Sequence, residues 1–175
     1  MRRQTTTWTG AALTGALGGI VGAWVMTRFH VALYGRGVTG TREPQSHRPV
    51  DGGRHDPATK AADEVVTALT SAPLDEREKR AAGPIVHYAF GASAGALYGV
   101  LAHRWPTVAG GWGVPYGLAV WLVADETALP LLGLADGPRA YPWTTHAEML
   151  AAHAVFGSAT HVAMTALQQR ASQPA

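Results

Sequence analysis

Four stretches of the chain are predominantly apolar and carry no charged side chain. They comprise residues 8–27, 85–102, 105–124 and 149–169. Each approaches or reaches the roughly 20 residues that an α-helix needs to cross the hydrocarbon core of a bilayer. A helix on the surface of a soluble bundle would repeat polar residues about every 3.6 positions, and these stretches show no such polar face. The pattern therefore predicts four membrane-spanning helices.

Residues that start or stop helices set the expected bounds of these spans. Gly83-Pro84 should break the chain before the second span, and Thr145-x-x-Glu148 matches a capping box at the start of the fourth. The expected transmembrane helices are about 8–31, 84–103, 113–134 and 145–168.

The hydrophilic segment of about residues 35–83 should lie outside the membrane. Asp56-Pro57 provides an N-cap and a first-turn proline, so a helix should follow to about Ser71. The predicted fold is all-α, with a single integral membrane domain over residues 1–175. It is a four-transmembrane-helix bundle with a long, partly helical loop between helices 1 and 2.

Glycines recur every four residues in the first two spans. Gly15 and Gly19 do so in the first span, and Gly91, Gly95 and Gly99 in the second. Small residues at this spacing let helix backbones approach closely in lipid. The stripes predict tight helix packing without identifying the partner helix.

Ionisable side chains gather at one end of the predicted bundle, which we call side B because it carries the 35–83 loop. Spans one and three end there, and spans two and four begin there. The candidate functional polar cluster consists of Arg28, His87, Asp125, Glu126, His146 and His153. Carboxylates inside hydrocarbon need partners or a water-lined cavity, so Asp125 and Glu126 are its strongest members.

Helical geometry predicts which of these side chains face the bundle. His146 and His153 share one stripe of the fourth span with Met149. Asp125 and Glu126 are about 100° apart on an α-helix, so both should not face the same groove. We expect Asp125 to point inward and Glu126 to meet Arg28 or a neighbouring helix.

Each member of the cluster also has a purely structural interpretation. His87 and His146 are equally suited to the membrane interface, and Arg28 to snorkelling from a helix end. The two acids suit a structural ion pair with Arg28 or a histidine as well as a functional site.

Composition excludes several classes of protein. The net charge of +2 is small and scattered, which disfavours nucleic acid as a partner. There are no cysteines, so disulfides and thiolate chemistry are excluded. No nucleotide-binding or hydrolase motif occurs, so we identify no catalytic or cofactor-binding residue, and an enzyme is disfavoured.

A metal or haem remains an open alternative because histidines and carboxylates are metal ligands. The Glu-x-x-His motif of di-iron bundles is absent. Haem ligation through His87 and His153 would lack any attachment motif. No cofactor is strongly indicated, and the metal assignment is left unknown.

A set of short motifs resembles the YagU-like family of small, largely uncharacterised bacterial inner-membrane proteins. The resemblance covers most of residues 84–160 and implies a multi-pass protein of the bacterial inner membrane, with a link to acid tolerance for a relative. The motifs are His87-Tyr-Ala-Phe-Gly91, Gly95-x-x-Tyr98-Gly99, Trp121-x-x-x-Asp125-Glu126-x-x-x-Pro130-x-x-Gly133-Leu134, Tyr141-Pro142-Trp143-x-x-His146 and His153-x-x-x-Gly157.

Three functions fit these observations. The small-residue stripes favour a structural or auxiliary subunit, whose partners are the lipid bilayer and a second copy or a larger membrane complex. The alternatives are a proton or ion conduit or acid-response factor that uses the Asp/Glu/His cluster, and a metal- or haem-binding membrane protein.

The orientation of the chain rests on its basic residues. The number of Lys and Arg residues in the 35–83 loop favours side B as cytoplasmic, whereas Arg2-Arg3 argues for the opposite. We favour side B as the cytoplasmic side.

Overall fold

The structure is a computed structural model that describes residues 7–35, 60–61, 63–64, 66–67 and 72–173. In it the chain folds into a bundle of four long helices. All four are long and apolar enough to cross a membrane, which confirms the predicted class. Helix α1 is Trp8–Gly35, α2 is Glu76–Arg104 and α4 is Trp143–Ala171. Helix α3 consists of an α-helical piece at Val114–Val123, a π-helical piece at Ala124–Ala128 and a final turn at Leu129–Leu131.

The second span begins earlier than its glycine and proline suggested. Asp75 caps α2 by accepting hydrogen bonds from the backbone N–H groups of Arg77 and Glu78, while Glu78 returns a bond to the Asp75 N–H. This capping box starts the helix well before Pro84, which is exposed inside it. The predicted break at Gly83-Pro84 was therefore wrong.

The capping box expected at the start of the fourth span was also wrong. Helix α4 begins at Trp143 behind Pro142, and no side chain caps it. Because Thr145 and Glu148 then lie inside the helix, their spacing has no capping role. Helix α1 runs on to Gly35, beyond the expected end at residue 31.

The third span is the irregular one. A 3-10 segment, Pro106–Gly113, precedes α3 and forms part of the span, where an extramembrane connection was expected. The backbone turns left-handed at Gly111, Trp112 and Gly113, with φ of 64°, 58° and 78°. Gly113 also touches α4, because a Cβ there would lie 2.4 Å from the Gly157 carbonyl oxygen. Since Gly157 is midway along α4, this helix break lies near the middle of the bundle.

Glycine contacts join α1 to α2. A Cβ on Gly19 would lie 2.0 Å from the Gly91 carbonyl oxygen, and one on Gly15 would lie 2.3 Å from that of Gly95. Gly99 approaches the Ala11 carbonyl in the same way, at 2.1 Å. The predicted stripes therefore pack against each other within the chain.

Helix α4 uses the same kind of contact on two of its sides. Gly22 of α1 faces Thr160, and Gly117 of α3 faces the His153 carbonyl, where a Cβ would lie 2.0 Å from its oxygen. Helix α1 is thereby held between α2 and α4, and α3 lies along α4.

Two tyrosines, Tyr98 of α2 and Tyr116 of α3, bring α2 and α3 into contact. Tyr116 of α3 donates a 2.6 Å hydrogen bond to the Ala94 carbonyl of α2. Its ring centroid lies 4.7 Å from that of the fully buried Tyr98. The core between the helices is formed by Ala23, Met26, Ala94, Ala152 and Phe156.

The outer faces of the helices are apolar. Leu13 and Leu17 of α1, Leu122 of α3 and Val162 of α4 are all more than half exposed. Outward apolar faces around a tightly packed interior are what a bundle surrounded by lipid requires.

Much of the predicted loop helix lies outside the described residues. Positions 60–61, 63–64 and 66–67 are helical, in agreement with the part of the prediction that they test. Lys60 donates a hydrogen bond to the carbonyl of Gly133, just beyond α3, so this segment lies at the side-B end of the bundle.

Candidate functional site

Glu126 of α3 is paired with His146 of α4. The carboxylate Oε1 and the ring Nδ1 are 2.7 Å apart, which is the distance of a charge-assisted hydrogen bond. The other ring nitrogen, Nε2, donates to the Pro138 carbonyl at 2.9 Å. Of the two partners proposed for Glu126, the structure selects the neighbouring helix.

Asp125 lies beside His153 one level deeper in the bundle. His153 Nε2 is 3.5 Å from Asp125 Oδ2, and the histidine side chain is only 7% exposed. Its Nδ1 donates to the Met149 carbonyl, one turn earlier on α4, at 2.9 Å. Asp125 therefore faces the bundle, as predicted.

Hydrogen bonds to two backbone carbonyls, those of Pro138 and Met149, fix which ring nitrogen carries a hydrogen in His146 and in His153. A carbonyl oxygen only accepts, so Nε2 of His146 and Nδ1 of His153 each carry a hydrogen. The second nitrogen of each ring faces a carboxyl oxygen. Were that nitrogen and the carboxyl both deprotonated, two lone pairs would oppose each other. The 2.7 Å contact between Glu126 and His146 therefore holds one further proton, on the ring or on the acid, whereas Asp125 and His153, at 3.5 Å, are too far apart for a strong hydrogen bond.

The π-helical piece of α3 lets adjacent acids reach the same helix. In Ala124–Ala128 the hydrogen bonds skip five residues, and Thr127 Oγ1 bonds to the Leu122 carbonyl at 2.8 Å. The wider turn presents both Asp125 and Glu126 to α4. The expectation that they could not share a groove was wrong because it assumed α-helical spacing throughout.

Aromatic rings surround the outer pair. The rings of Trp121 and Tyr141 each meet His146 edge to face at 6.4 Å. The Trp121 Nε1 and the Thr144 Oγ1 are buried without a hydrogen-bond partner among the described residues. The pair is thus partly shielded from solvent, with 26% of the His146 side chain and 15% of the Glu126 side chain exposed, and this shielding strengthens its electrostatic interaction.

The other two predicted members lie elsewhere. His87 faces α1, with Nε2 at 3.4 Å from Thr27 Oγ1 and at 3.5 Å from the Ala23 carbonyl oxygen. Arg28 is exposed, and its guanidinium carbon lies 5.4 Å from the centroid of the Trp24 ring. The structure therefore assembles four of the six predicted residues and leaves His87 and Arg28 outside.

The donor groups do not converge on a metal. Among the described residues, no three His, Asp or Glu side chains are placed to hold an ion together. The nitrogens of His153 face Met149 and Asp125, and His87 faces Thr27, so the geometry does not favour the haem-ligating pair considered above.

A third polar contact lies near mid-bundle, outside the candidate cluster, and sequence reasoning did not identify its tyrosine partner. The Tyr98 hydroxyl and His161 Nδ1 are 2.7 Å apart, and the ring of Trp112 meets His161 at 6.1 Å. His161 follows His153 by eight residues and shares its side of α4. The available signal was the recurrence of histidine along α4, whereas the tyrosine belongs to another helix and had no local marker.

Comparison with known proteins gives one match. The family model described as "Protein of unknown function (DUF1440)" covers residues 57–162, from the loop through the Tyr98–His161 contact. No curated protein matches, and no solved structure matches.

Proposed function

The chain belongs to the DUF1440 family of proteins of unknown function, and from that premise we propose that it is a multi-pass membrane protein that responds to acid. The observation that supports this proposal is the 2.7 Å hydrogen bond between Glu126 and His146, with a second acid and histidine, Asp125 and His153, 3.5 Å apart one level deeper.

The Glu126–His146 hydrogen bond would make the contact between α3 and α4 depend on pH in both directions. When a pair loses its proton, a carboxylate faces a ring lone pair and the pair carries a negative charge. When it gains a second proton, an imidazolium faces a neutral acid and the pair carries a positive charge. Either charge is costly beside the aromatic rings of Trp121 and Tyr141. The contact between α3 and α4 should therefore be most stable at intermediate pH.

Amide substitutions separate this proton dependence from simple packing. In Glu126→Gln, the amide N–H donates to Nδ1 of a neutral His146 while Nε2 still bonds to Pro138. The α3–α4 contact should then persist at alkaline pH, where the wild-type contact loosens. In Glu126→Ala the contact should weaken at every pH, by about 1–3 kcal/mol.

Spin labels would measure the separation of the two helices. The chain has no cysteine, so Leu132→Cys and Leu150→Cys place labels at exposed positions of the α3 end and of α4. Asp136→Asn, an exposed acid on side B, is the matched control and should leave the profile unchanged. The proposal fails if wild type and Glu126→Gln separate identically at alkaline pH, or if the helices of the wild type do not separate as the pH falls.

A proton conduit is the second candidate, favoured by the recurrence of His146, His153 and His161 along α4. The Tyr98–His161 contact extends polar groups past the middle of the bundle. Phe156 lies between His153 and His161 along α4 as part of the apolar core, which argues for response without conduction. Proton flux in proteoliposomes that is lost in Asp125→Asn would favour the conduit.

The auxiliary-subunit role rested on the glycine stripes. Those stripes are engaged within the chain, so they supply no argument for an external partner. A role in a larger complex would need the outer faces of α2 and α3, and copurification of a stoichiometric partner would support it. Placement in a bacterial inner membrane, and the YagU-like identity with its link to acid tolerance, remain part of this proposal.

A further inference from the structure

Arg28 is a cation on the outward, apolar face of α1. It continues a stripe formed by Leu17, Val21, Trp24 and Val31, each between 42 and 52% exposed. The spacing of these residues matches one side of an α-helix. Apolar surface therefore flanks the guanidinium toward both ends of the helix.

No described carboxylate forms an ion pair with Arg28. Its guanidinium carbon lies over the ring of Trp24 at 5.4 Å, which is a cation–π contact. Such a contact leaves the N–H groups of the fork available. A guanidinium stays charged in proteins, so at a lipid-facing position these donors require an anion.

The depth of Arg28 identifies where that anion would be. Trp8 begins α1 on the side opposite to side B, and Arg28 follows it by 20 residues. At 1.5 Å per residue this is about 30 Å, the thickness of the hydrocarbon core. The candidate span ends at Leu33, so Arg28 lies in its last two turns, from which its long side chain would reach the phosphate level of the side-B leaflet.

We propose that Arg28 and Trp24 form a binding site for the phosphate of an anionic phospholipid in the side-B leaflet. The planar fork of Arg28 would donate two parallel hydrogen bonds to the phosphate oxygens. The Trp24 ring would lie against the glycerol and upper acyl chains, where amphipathic aromatic rings are favoured. The site lies outside the matched family range and is independent of the histidine–acid pairs.

Arg104 provides a matched control for this proposal. Its guanidinium lies over Trp105 at 5.2 Å, which is the same pair of residue types at the opposite end of the bundle. Arg104 is the last residue of α2, so no further helical turn follows it, and apolar helix surface flanks it on one side only. Arg28→Gln and Arg104→Gln therefore each remove a guanidinium that lies over a tryptophan ring, the first on the outward face of α1 and the second at the end of α2.

The test measures retained lipid on detergent-purified full-length protein by native mass spectrometry. Phosphatidylglycerol, phosphatidylcholine and inorganic phosphate would be titrated separately. Wild type and Arg104→Gln should retain phosphatidylglycerol, and Arg28→Gln should bind it about tenfold more weakly, which corresponds to loss of one charge-assisted contact. Arg28→Lys should be intermediate because it keeps the charge and loses the fork.

Three outcomes would overturn the proposal. One is equal retention of phosphatidylglycerol by wild type and Arg28→Gln. Another is binding of inorganic phosphate as tightly as of the lipid, which would assign the site to a free anion. The third is a change of oligomeric state in Arg28→Gln with lipid retention unchanged, which would assign Arg28 to a second copy of the chain. Circular dichroism of each variant would show whether it folds, so that misfolding is not mistaken for a loss of binding. Trp24→Leu is a second substitution in the same site and should also weaken the retention of phosphatidylglycerol.

Discussion

Single hydrogen bonds decide what the ionisable residues of this protein can do. His146 and His153 differ from an ordinary interfacial histidine because a backbone carbonyl occupies one ring nitrogen of each. That leaves the other nitrogen to share a proton with an acid. Outside the membrane-spanning segments, Asp63 is fixed in a comparable way, since Oδ1 accepts from the Leu74 N–H at 2.7 Å and Oδ2 pairs with Lys79 at 3.1 Å.

Asp63 should make the loop segment sensitive to acid. The Leu74 hydrogen bond, followed by Lys79, holds the pKa of Asp63 below its usual value of 3.8. A carboxyl whose pKa is lowered on folding stabilises the structure above the unfolded pKa, and this contribution is lost as the pH falls through the folded pKa. Exchange of the Leu74 amide should therefore accelerate in that acid range, and Asp63→Asn should remove this dependence.

The neighbouring exposed acid supplies the control for that measurement. Glu64→Gln leaves both contacts of Asp63 in place and should preserve the acid response of the Leu74 amide. An unchanged exchange profile in Asp63→Asn would show that the carboxylate does not hold the segment.

Whole helices of this bundle meet through glycine. Four of the contacts join α1 to α2 or α4, so α1 is the element on which two others pack. The third span departs from regular geometry twice, at the left-handed turn Gly111–Gly113 and at the π-helical piece Ala124–Ala128. The first departure lets Gly113 approach α4, and the second turns two adjacent acids toward it.

Substitution of a glycine that lies between two helices should be far more destabilising than the addition of one methyl group suggests. In Gly19→Ala the added methyl would lie 2.0 Å from the Gly91 carbonyl oxygen, so the helices must separate. We expect a loss of about 1–3 kcal/mol in unfolding free energy, measured by denaturation in detergent micelles. Gly137→Ala, where a Cβ would have no neighbour within 4 Å, should be near neutral. Equal effects of the two substitutions would contradict the packing described here.

The whole molecule is organised by its surroundings. Apolar side chains point outward on all four helices, while glycine, tyrosine and the histidine–acid pairs lie between them. In lipid, close packing and polar contacts take the place of a hydrophobic driving force between helices.

Four spans predict that both ends of the chain lie on the side of the membrane opposite the 35–83 loop. The absence of native cysteine allows Gly52→Cys and Ala175→Cys to be labelled one at a time in intact cells. An impermeant maleimide should label one of the two positions and spare the other, with residue 52 protected if side B is cytoplasmic. Labelling of both from the same face would exclude an odd number of spans between them, and with it the three spans that follow residue 52.

Local patterns were sufficient for the class of fold. The uncharged stretches determined four spans, because a polypeptide can cross hydrocarbon only when its side chains are apolar over about 20 residues. The glycine spacing likewise identified which helix faces pack closely, and the side-B grouping of acids and histidines located the site. These properties depend on residues near one another in the chain.

Tertiary structure alone decided which residues meet. Glu126 belongs to the π-helical piece of α3, and its partner His146 belongs to α4, 20 residues further along the chain. The placement of Arg28 on an outward face, and of Tyr98 against His161, depends on how α1 and α2 are rotated in the bundle. Rotation and register of packed helices are set by contacts between distant segments, so no local pattern carries them.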